Sequence, residues 1–263
     1  MRDLRDFAGP ESPLRASRLV YLVRCAGREL MTYLLDPTEG SGPAADTGSA
    51  VHKAVAAWHR NGHRDSDALG AMRSAIVEYP LADLHDAELS FLPYARDKRN
   101  REEEVVLVEA RVDFTLPPWP SDPTQAPIHI QGTLDQVRRR GGILVCMDLK
   151  TGKPEGYDMM LDHEAQLAAY AHGATRMLGE FVGMGAIVRT RGYRTRANMS
   201  VVSPPGVFWW YTIPDNGASI LDTVRYRVAE VRSGARWLSP GAWCQFCPHG
   251  GREKCIPKMK ETA

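Results

Sequence analysis

Two adjacent glycines, Gly141-Gly142, separate two runs that read as strands, 128–140 and 143–150. A two-residue loop of this type closes a tight β-hairpin. The turn sets the pairing. Arg140 faces Ile143, and counting back along both strands brings Asp135 opposite Asp148. Directly opposed residues hold their Cβ atoms roughly 5 Å apart. Two carboxylates at that spacing repel unless something offsets the charge, and a divalent cation between them does so. Lys150 lies two residues beyond Asp148 and so on its face of the strand. The alternate positions Ile143, Val145, Met147 and Leu149 form an apolar stripe suited to a core. A slip of one residue would exchange the faces, and charged strand ends are often simply solvated. Taken alone, the hairpin leaves a metal site and an exposed charged edge both open.

Around the hairpin the apolar spacing predicts a helix over 12–35, a loop at Gly40-Ser41-Gly42-Pro43, and a second helix over 47–60 carrying Val51, Val55 and Trp58 on one face. Residues 66–99 read as helical, interrupted at Pro80 and Pro93. The period then changes to that of a strand at 105–116, and a loop with five prolines covers 117–127. After the hairpin come a helix (158–178), strands at 181–190 and 207–213, and a last helix (216–233). This order predicts an α/β (α+β) chain with a central mixed sheet flanked by helices.

At 263 residues the chain is expected to be one domain with insertions, divided into an N-terminal helical part (12–100), a core (104–233) and a Cys-rich tail (238–263). Six Trp and 43% apolar residues exclude a disordered chain. No apolar run approaches the roughly 18 residues of a membrane helix, and the charged start, Met1-Arg2-Asp3-Leu4-Arg5-Asp6, does not resemble a secretion signal. The expected location is the cytoplasm. A net charge of +1 gives no global pull toward nucleic acid. Any such binding rests on local patches: Arg138, Arg139 and Arg140 at the hairpin tip, and Arg189, Arg191, Arg194 and Arg196 with Tyr193 interleaved. A solvated loop explains these equally well.

Five cysteines are unevenly spread: Cys25 and Cys146 stand apart, and Cys244, Cys247 and Cys255 crowd the end. In a reducing compartment a Cys-x2-Cys pair with a third Cys close behind reads as a metal or cluster site rather than a disulfide framework. Cys146, two residues before Asp148, reads as a small packed apolar residue. Two further features complete the set. Gln166 and Tyr170, four apart, share a helix face. His52 follows Gly48 on the second helix.

Taken in order, Gly48-Ser49-Ala50-Val51-His52, Gly132-Thr133-Leu134-Asp135, Asp148-Leu149-Lys150-Thr151-Gly152-Lys153 and Gln166-x3-Tyr170 resemble the PD-(D/E)XK nuclease superfamily in its RecB-like branch. One Cys before these motifs and three after resemble the iron–sulfur subset of that branch, which includes AddB-type nucleases and the fourth family of CRISPR-associated proteins. The resemblance covers about 12–257. The seven residues between Cys247 and Cys255 form a slightly longer gap than that subset shows.

The resemblance implies a restriction-endonuclease-like core with the N-terminal part and the tail packed together. It implies a metal-dependent DNA exonuclease, acting 5′→3′ on single strands or DNA ends. His52, Asp135, Asp148 and the Leu149 backbone carbonyl would hold Mg²⁺ or Mn²⁺. Lys150 would stabilise charge at the phosphate, and Gln166 and Tyr170 would orient Lys150 and the nucleic-acid backbone. Cys25, Cys244, Cys247 and Cys255 would carry a [4Fe–4S] cluster, with Zn²⁺ as the alternative. Such a clamp ties the start of the chain to its end, and closing so long a loop removes much unfolded-state entropy. Glu109, on the preceding strand, is a further candidate partner for the metal, although an ordinary strand charge is the expected reading. DNA is the implied partner, together with proteins of recombination, repair, phage DNA processing or CRISPR adaptation, and an oligomer is compatible with all of this. The competing expectations are an idle DNA-binding adaptor that keeps its four-cysteine site, and a small zinc protein without catalysis.

Overall fold

The computed structural model describes residues 3–35, 42–118, 126–151, 163–190, 193–194, 201–203, 206–213 and 215–233. In chain order the elements are β1 (Leu14–Arg15), α1 (Leu19–Arg24), α2 (Ala26–Leu35), α3 (Pro43–Arg60), α4 (Asp65–Glu78), α5 (Leu84–Arg96), α6 (Lys98–Glu102), β2 (Glu104–Leu116), β3 (Ile128–Arg140), β4 (Ile143–Lys150), α7 (His163–Leu178), β5 (Val182–Arg189), β6 (Tyr193–Arg194), β7 (Val201–Ser203), β8 (Gly206–Thr212) and α8 (Ala218–Arg232). No described helix is long and apolar enough to cross a membrane.

The expected α/β architecture with a central mixed sheet is what forms. β2, β3 and β4 are an antiparallel meander. Gly141 and Gly142 take φ of +56° and +80°, the paired left-handed turn that matches strand twist. The hairpin ladder runs from Arg140 opposite Ile143 to Gln136 opposite Met147, in the register read from the turn. β4 pairs in parallel with β5 through α7, the crossover a parallel pair needs, and β8 closes that side antiparallel to β5. β2 pairs along nearly the whole length of β3. The other edge of β3 is shared: β1 pairs in parallel with Ile130 and Gln131, and β4 takes the end from Gln136 onward.

Helices cover both faces of β4, so its residues are buried on both sides. Leu144 and Cys146 join a core with α1, α2, α7 and α8 that includes Leu19, Leu22, Met31, Leu167 and Val228. Val145, Met147 and Leu149 join a second core under α3, α4 and α5, centred on Trp58, Met72 and Phe91. Small residues let α7 approach the sheet. A Cβ on Gly173 would stand 2.7 Å from Val112 Cγ1, and one on Gly185 3.0 Å from Leu167 Cδ1.

Several expectations are corrected. Ile143 does not belong to the buried stripe; beside the turn, past the edge of the helical cover, it is 51% exposed. The single helix expected over 12–35 is β1, a short 3-10 turn and two helices, because Cys25 is extended (φ −152°) between α1 and α2. Pro93 does not interrupt α5; the hydrogen bond it forgoes is to the carbonyl of Leu89, on an exposed turn. The break falls at Asp97, whose carboxylate caps α6. The Cys-rich tail lies outside the described residues.

His59 on α3 gives this fold an acid limit. Its Nε2 lies 2.8 Å from the Tyr94 hydroxyl and its Nδ1 3.3 Å from His63 Nε2. Burial, then the charges of Arg138 and His63, push the ring down to a pKa of about 3. The unfolded chain protonates His59 near pH 6.5 and the native chain does not. The contribution is therefore complete above that pH and declines as pH falls toward 3, at up to about 1.4 kcal/mol per unit. Thermal melts between pH 7 and 5 are expected to show a steeper fall for the wild type than for His59→Gln. Parallel curves would refute this assignment.

Candidate active site

The site lies where β3 and β4 stop pairing. One step beyond the last ladder pair, Asp135 turns its carboxylate across the gap, and Oδ2 accepts the Leu149 backbone N–H at 2.6 Å. Its Oδ1 lies 3.0 Å from His52 Nδ1, and Glu109 Oε1 lies 3.4 Å from the same nitrogen. Ligand atoms of His52, Glu109 and Asp135 all fall within 4.8 Å of one another. On the other side of the gap Asp148 Oδ2 pairs with Lys150 Nζ at 2.8 Å. Asp148 Oδ1 accepts from Gln166 Nε2 at 3.0 Å, and that amide also reaches the Tyr170 hydroxyl at 3.3 Å.

Local backbone features bring these groups together. Glu109 sits between the pairs Val108–Gln136 and Ala110–Leu134 of the β2–β3 ladder, level with Asp135. Its φ is +45°, a left-handed conformation that costs a non-glycine residue on the order of 1–3 kcal/mol unless its surroundings hold it. Arg60 donates to the carbonyl of the preceding Val108 at 3.1 Å, tying this kink to α3. The second turn of α3 comes close to the residue after β4: a Cβ on Gly48 would stand 3.1 Å from Thr151 Oγ1. At Gly132 a Cβ would stand 3.0 Å from Tyr170 Cε1, so the glycine gives that ring its place against β3.

The electrostatics are those of crowded charge. Burial raises the Asp135 carboxyl above its ordinary range; His52 opposes this, and Asp148 and Glu109 add to it. Burial works against the His52 imidazolium, but Asp135 and Glu109 outweigh it and carry the pKa well above 6.5. Burial likewise opposes the Lys150 ammonium, and Asp148 reverses the balance. Three carboxylates thus share one imidazole and one ammonium, with His52 still 24% exposed. An imidazole and carboxylate oxygens suit Mg²⁺ or Mn²⁺, so the donor set fits a divalent ion.

Of the residues singled out in the sequence, the structure brings His52, Asp135, Asp148, Lys150, Gln166 and Tyr170 into one chain of contacts. Glu109, whose expected reading is an ordinary strand charge, instead lies with His52 and Asp135. His163 went unnoticed. It opens α7 one turn before Gln166, and burial and the neighbouring Lys150 charge lower its pKa against the pull of Asp148. Its spacing from Gln166 was the available signal. Cys146 is fully buried, as a packed apolar residue would be. Cys25 is buried at the junction of α1 and α2. Cys244, Cys247, Cys255, Arg191 and Arg196 lie outside the described residues. Arg194 belongs to β6, and Arg189 is 4% exposed, paired along the ladder with Lys150.

The arginines of the hairpin tip are not a free cationic patch. Arg138 is buried and bonded to Glu103 and Asn100; Arg139 pairs with Glu104 and Glu180, and Arg140 with Glu103. The acidic residues at the start of β2 and after α7 neutralise them, a pairing that single-strand spacing does not reveal.

No curated protein matches the chain. A solved structure titled "Crystal structure of SSO0001" aligns at 13% identity over 85% of this chain and 91% of that one, with a TM-score of 0.37. That superposition is too loose to inform the site. A family model described as the PD-(D/E)XK nuclease superfamily matches residues 13–252. With all but the two ends of its sequence inside that match, the chain belongs to the PD-(D/E)XK nuclease superfamily.

Proposed function

We propose that this member of the superfamily is a metal-dependent DNA exonuclease. It hydrolyses phosphodiester bonds of single strands or DNA ends, with 5′→3′ polarity. The observation that carries the reading is the convergence of His52, Glu109 and Asp135 on one side of the strand gap and of Asp148 and Lys150 on the other. His52, Asp135, Asp148 and the Leu149 carbonyl, joined by Glu109, would hold Mg²⁺ or Mn²⁺. When bound, the ion supplies a water of lowered pKa and an electrostatic partner for phosphate oxygens.

The chain's own residues do the rest. Lys150, kept cationic beside Asp148, balances negative charge developing on the phosphate. Gln166 holds Asp148 by its Oδ1, and Tyr170 fixes the Gln166 amide. The run Arg191, Arg194 and Arg196 would contact the nucleic-acid backbone; Arg189, expected to join it, is 4% exposed and is left out of that role. Cys25 with Cys244, Cys247 and Cys255 carries a [4Fe–4S] cluster that fastens the tail to α1. Thiolate ligands suit such a cluster or Zn²⁺. Recombination, repair, phage DNA processing or CRISPR adaptation would use this activity.

Protein purified without oxygen is expected to contain about four irons and four acid-labile sulfides per chain. It should also shorten end-labelled single-stranded DNA only when Mg²⁺ or Mn²⁺ is present. Zinc without sulfide would replace the cluster assignment and leave the nuclease site untouched. Binding of DNA with no cleavage under any divalent ion would support the idle adaptor instead.

A further inference from the structure

The two elements that bring His52 and Asp135 together are joined a second time, by a buried polar network. His59 lies seven residues beyond His52 on α3, two turns along about the same face. Gln136 follows Asp135 on β3. Tyr94 of α5 stands between them, its hydroxyl 2.8 Å from His59 Nε2 and 2.8 Å from Gln136 Nε2. Arg138, 2% exposed, donates to the same hydroxyl and, through Nε, to Gln136 Oε1 at 2.8 Å. Its remaining nitrogen reaches Asn100 Oδ1 at 2.7 Å and Glu103 Oε2 at 3.2 Å.

A phenol hydroxyl has one proton and two acceptor sites. Arg138 and Gln136 Nε2 donate to it, and its own proton has two acceptors in reach, His59 Nε2 at 2.8 Å and Gln136 Oε1 at 3.2 Å, of which His59 is the nearer. With that bond made, His59 carries its own proton on Nδ1, facing His63 Nε2.

Apart from the exposed bond of Arg60 to the Val108 carbonyl, and the bonds that Asp46 and Thr47 accept from Leu81 and Asp83 ahead of α5, the remaining packing of α3 is apolar. Ala50, Val51, Ala54 and Val55 pack into the second core, and such contacts are non-directional. They hold the helix against the sheet but not at one rotation. A turn of about 10° about the α3 axis would move a side-chain atom roughly 6 Å off that axis by about 1 Å. Metal–ligand distances tolerate only about 0.2 Å.

We propose that Tyr94 and Arg138 are positioning residues for the metal site: their network fixes the rotation of α3 on β3 and thereby sets His52 against Asp135 and Glu109. The proposal rests on the reading of those three residues as metal ligands. None of the network residues is among the three candidate ligands.

The test is calorimetric titration of the full chain with Mn²⁺ alone, below the onset of melting. Tyr94→Phe and His59→Leu are expected to weaken Mn²⁺ binding about tenfold or more, as loss of a ligand's supporting partner does, whereas His59→Gln, which keeps an acceptor for Tyr94, stays within about twofold of wild type. Met72→Ala, a cavity in the same core at an apolar α4 side chain, lowers stability with Mn²⁺ affinity unchanged. If Tyr94→Phe does not fold, His59→Leu, at a partly exposed position, decides. Wild-type affinity in that variant, or equal weakening in Met72→Ala, would overturn the proposal while the metal site stands. A wild type that binds no Mn²⁺ would overturn both.

Discussion

Asp148→Ala is expected to lower divalent-ion-dependent cleavage of DNA by roughly a thousandfold while DNA binding is retained. Asp148 is engaged from two sides, by Lys150 at Oδ2 and by Gln166 at Oδ1. Its removal takes away a proposed metal ligand, the partner that holds the Lys150 charge in place and the anchor of the Gln166 amide. Lys150→Ala removes the cation alone and should cost roughly a hundredfold to a thousandfold. The double variant should be little worse than Asp148→Ala, because residues acting as a unit are not additive. Single-turnover digestion of end-labelled single-stranded DNA, with affinity followed by anisotropy, separates chemistry from binding. Cleavage near the wild-type rate in Asp148→Ala would place the reaction elsewhere in the molecule.

Arg138→Ala should destabilise the fold by about 3–5 kcal/mol, the usual cost of removing one partner from a buried ionic network. At about 2–4 °C per kcal/mol for a chain of this size, the melting temperature should fall by on the order of 10 °C. The loss has a specific origin. Glu103 keeps its charge with Arg140 as its remaining ion-pair partner among the described residues, and Asn100 Oδ1, Gln136 Oε1 and the Tyr94 hydroxyl each lose a donor. Arg138→Met, which keeps the stem of the side chain, should fall between. Scanning calorimetry checks both. A melt of Arg138→Ala that overlays the wild type would show that this buried guanidinium contributes nothing to stability.

The central hairpin was readable because its determinants are local. Two glycines adopt the φ values that a two-residue turn needs, and the turn then sets every pair up to Gln136 and Met147. The i, i+4 spacing of Gln166 and Tyr170 was readable for the same reason. What escaped depends on other parts of the chain. Nothing near Glu109 announces a left-handed residue inside a strand; the kink is held by Arg60 and His52 from α3. Arg138 resembles its neighbours Arg139 and Arg140 in sequence. Only Tyr94, Asn100 and Glu103, brought in by α5, α6 and the turn after them, make it a core residue. The break at Cys25 escaped because the apolar period continues through it.

The two cores differ in how far apart along the chain their members lie. The second is mostly one continuous stretch, α3 to α5, laid on β4 and β5. The first needs the opening segment to meet the last helix: Leu19, Leu22 and Met31 pack with Val224, Val228 and Val231, and Arg232 Nε donates to the Phe7 carbonyl at 2.9 Å. On a ribosome the apolar faces of α1 and α2 therefore emerge first and are covered last, after α8 has been made. Synthesis that stalls before α8 would release a chain whose α3–α5 cap can form but whose earliest helices remain exposed, a natural client for chaperones.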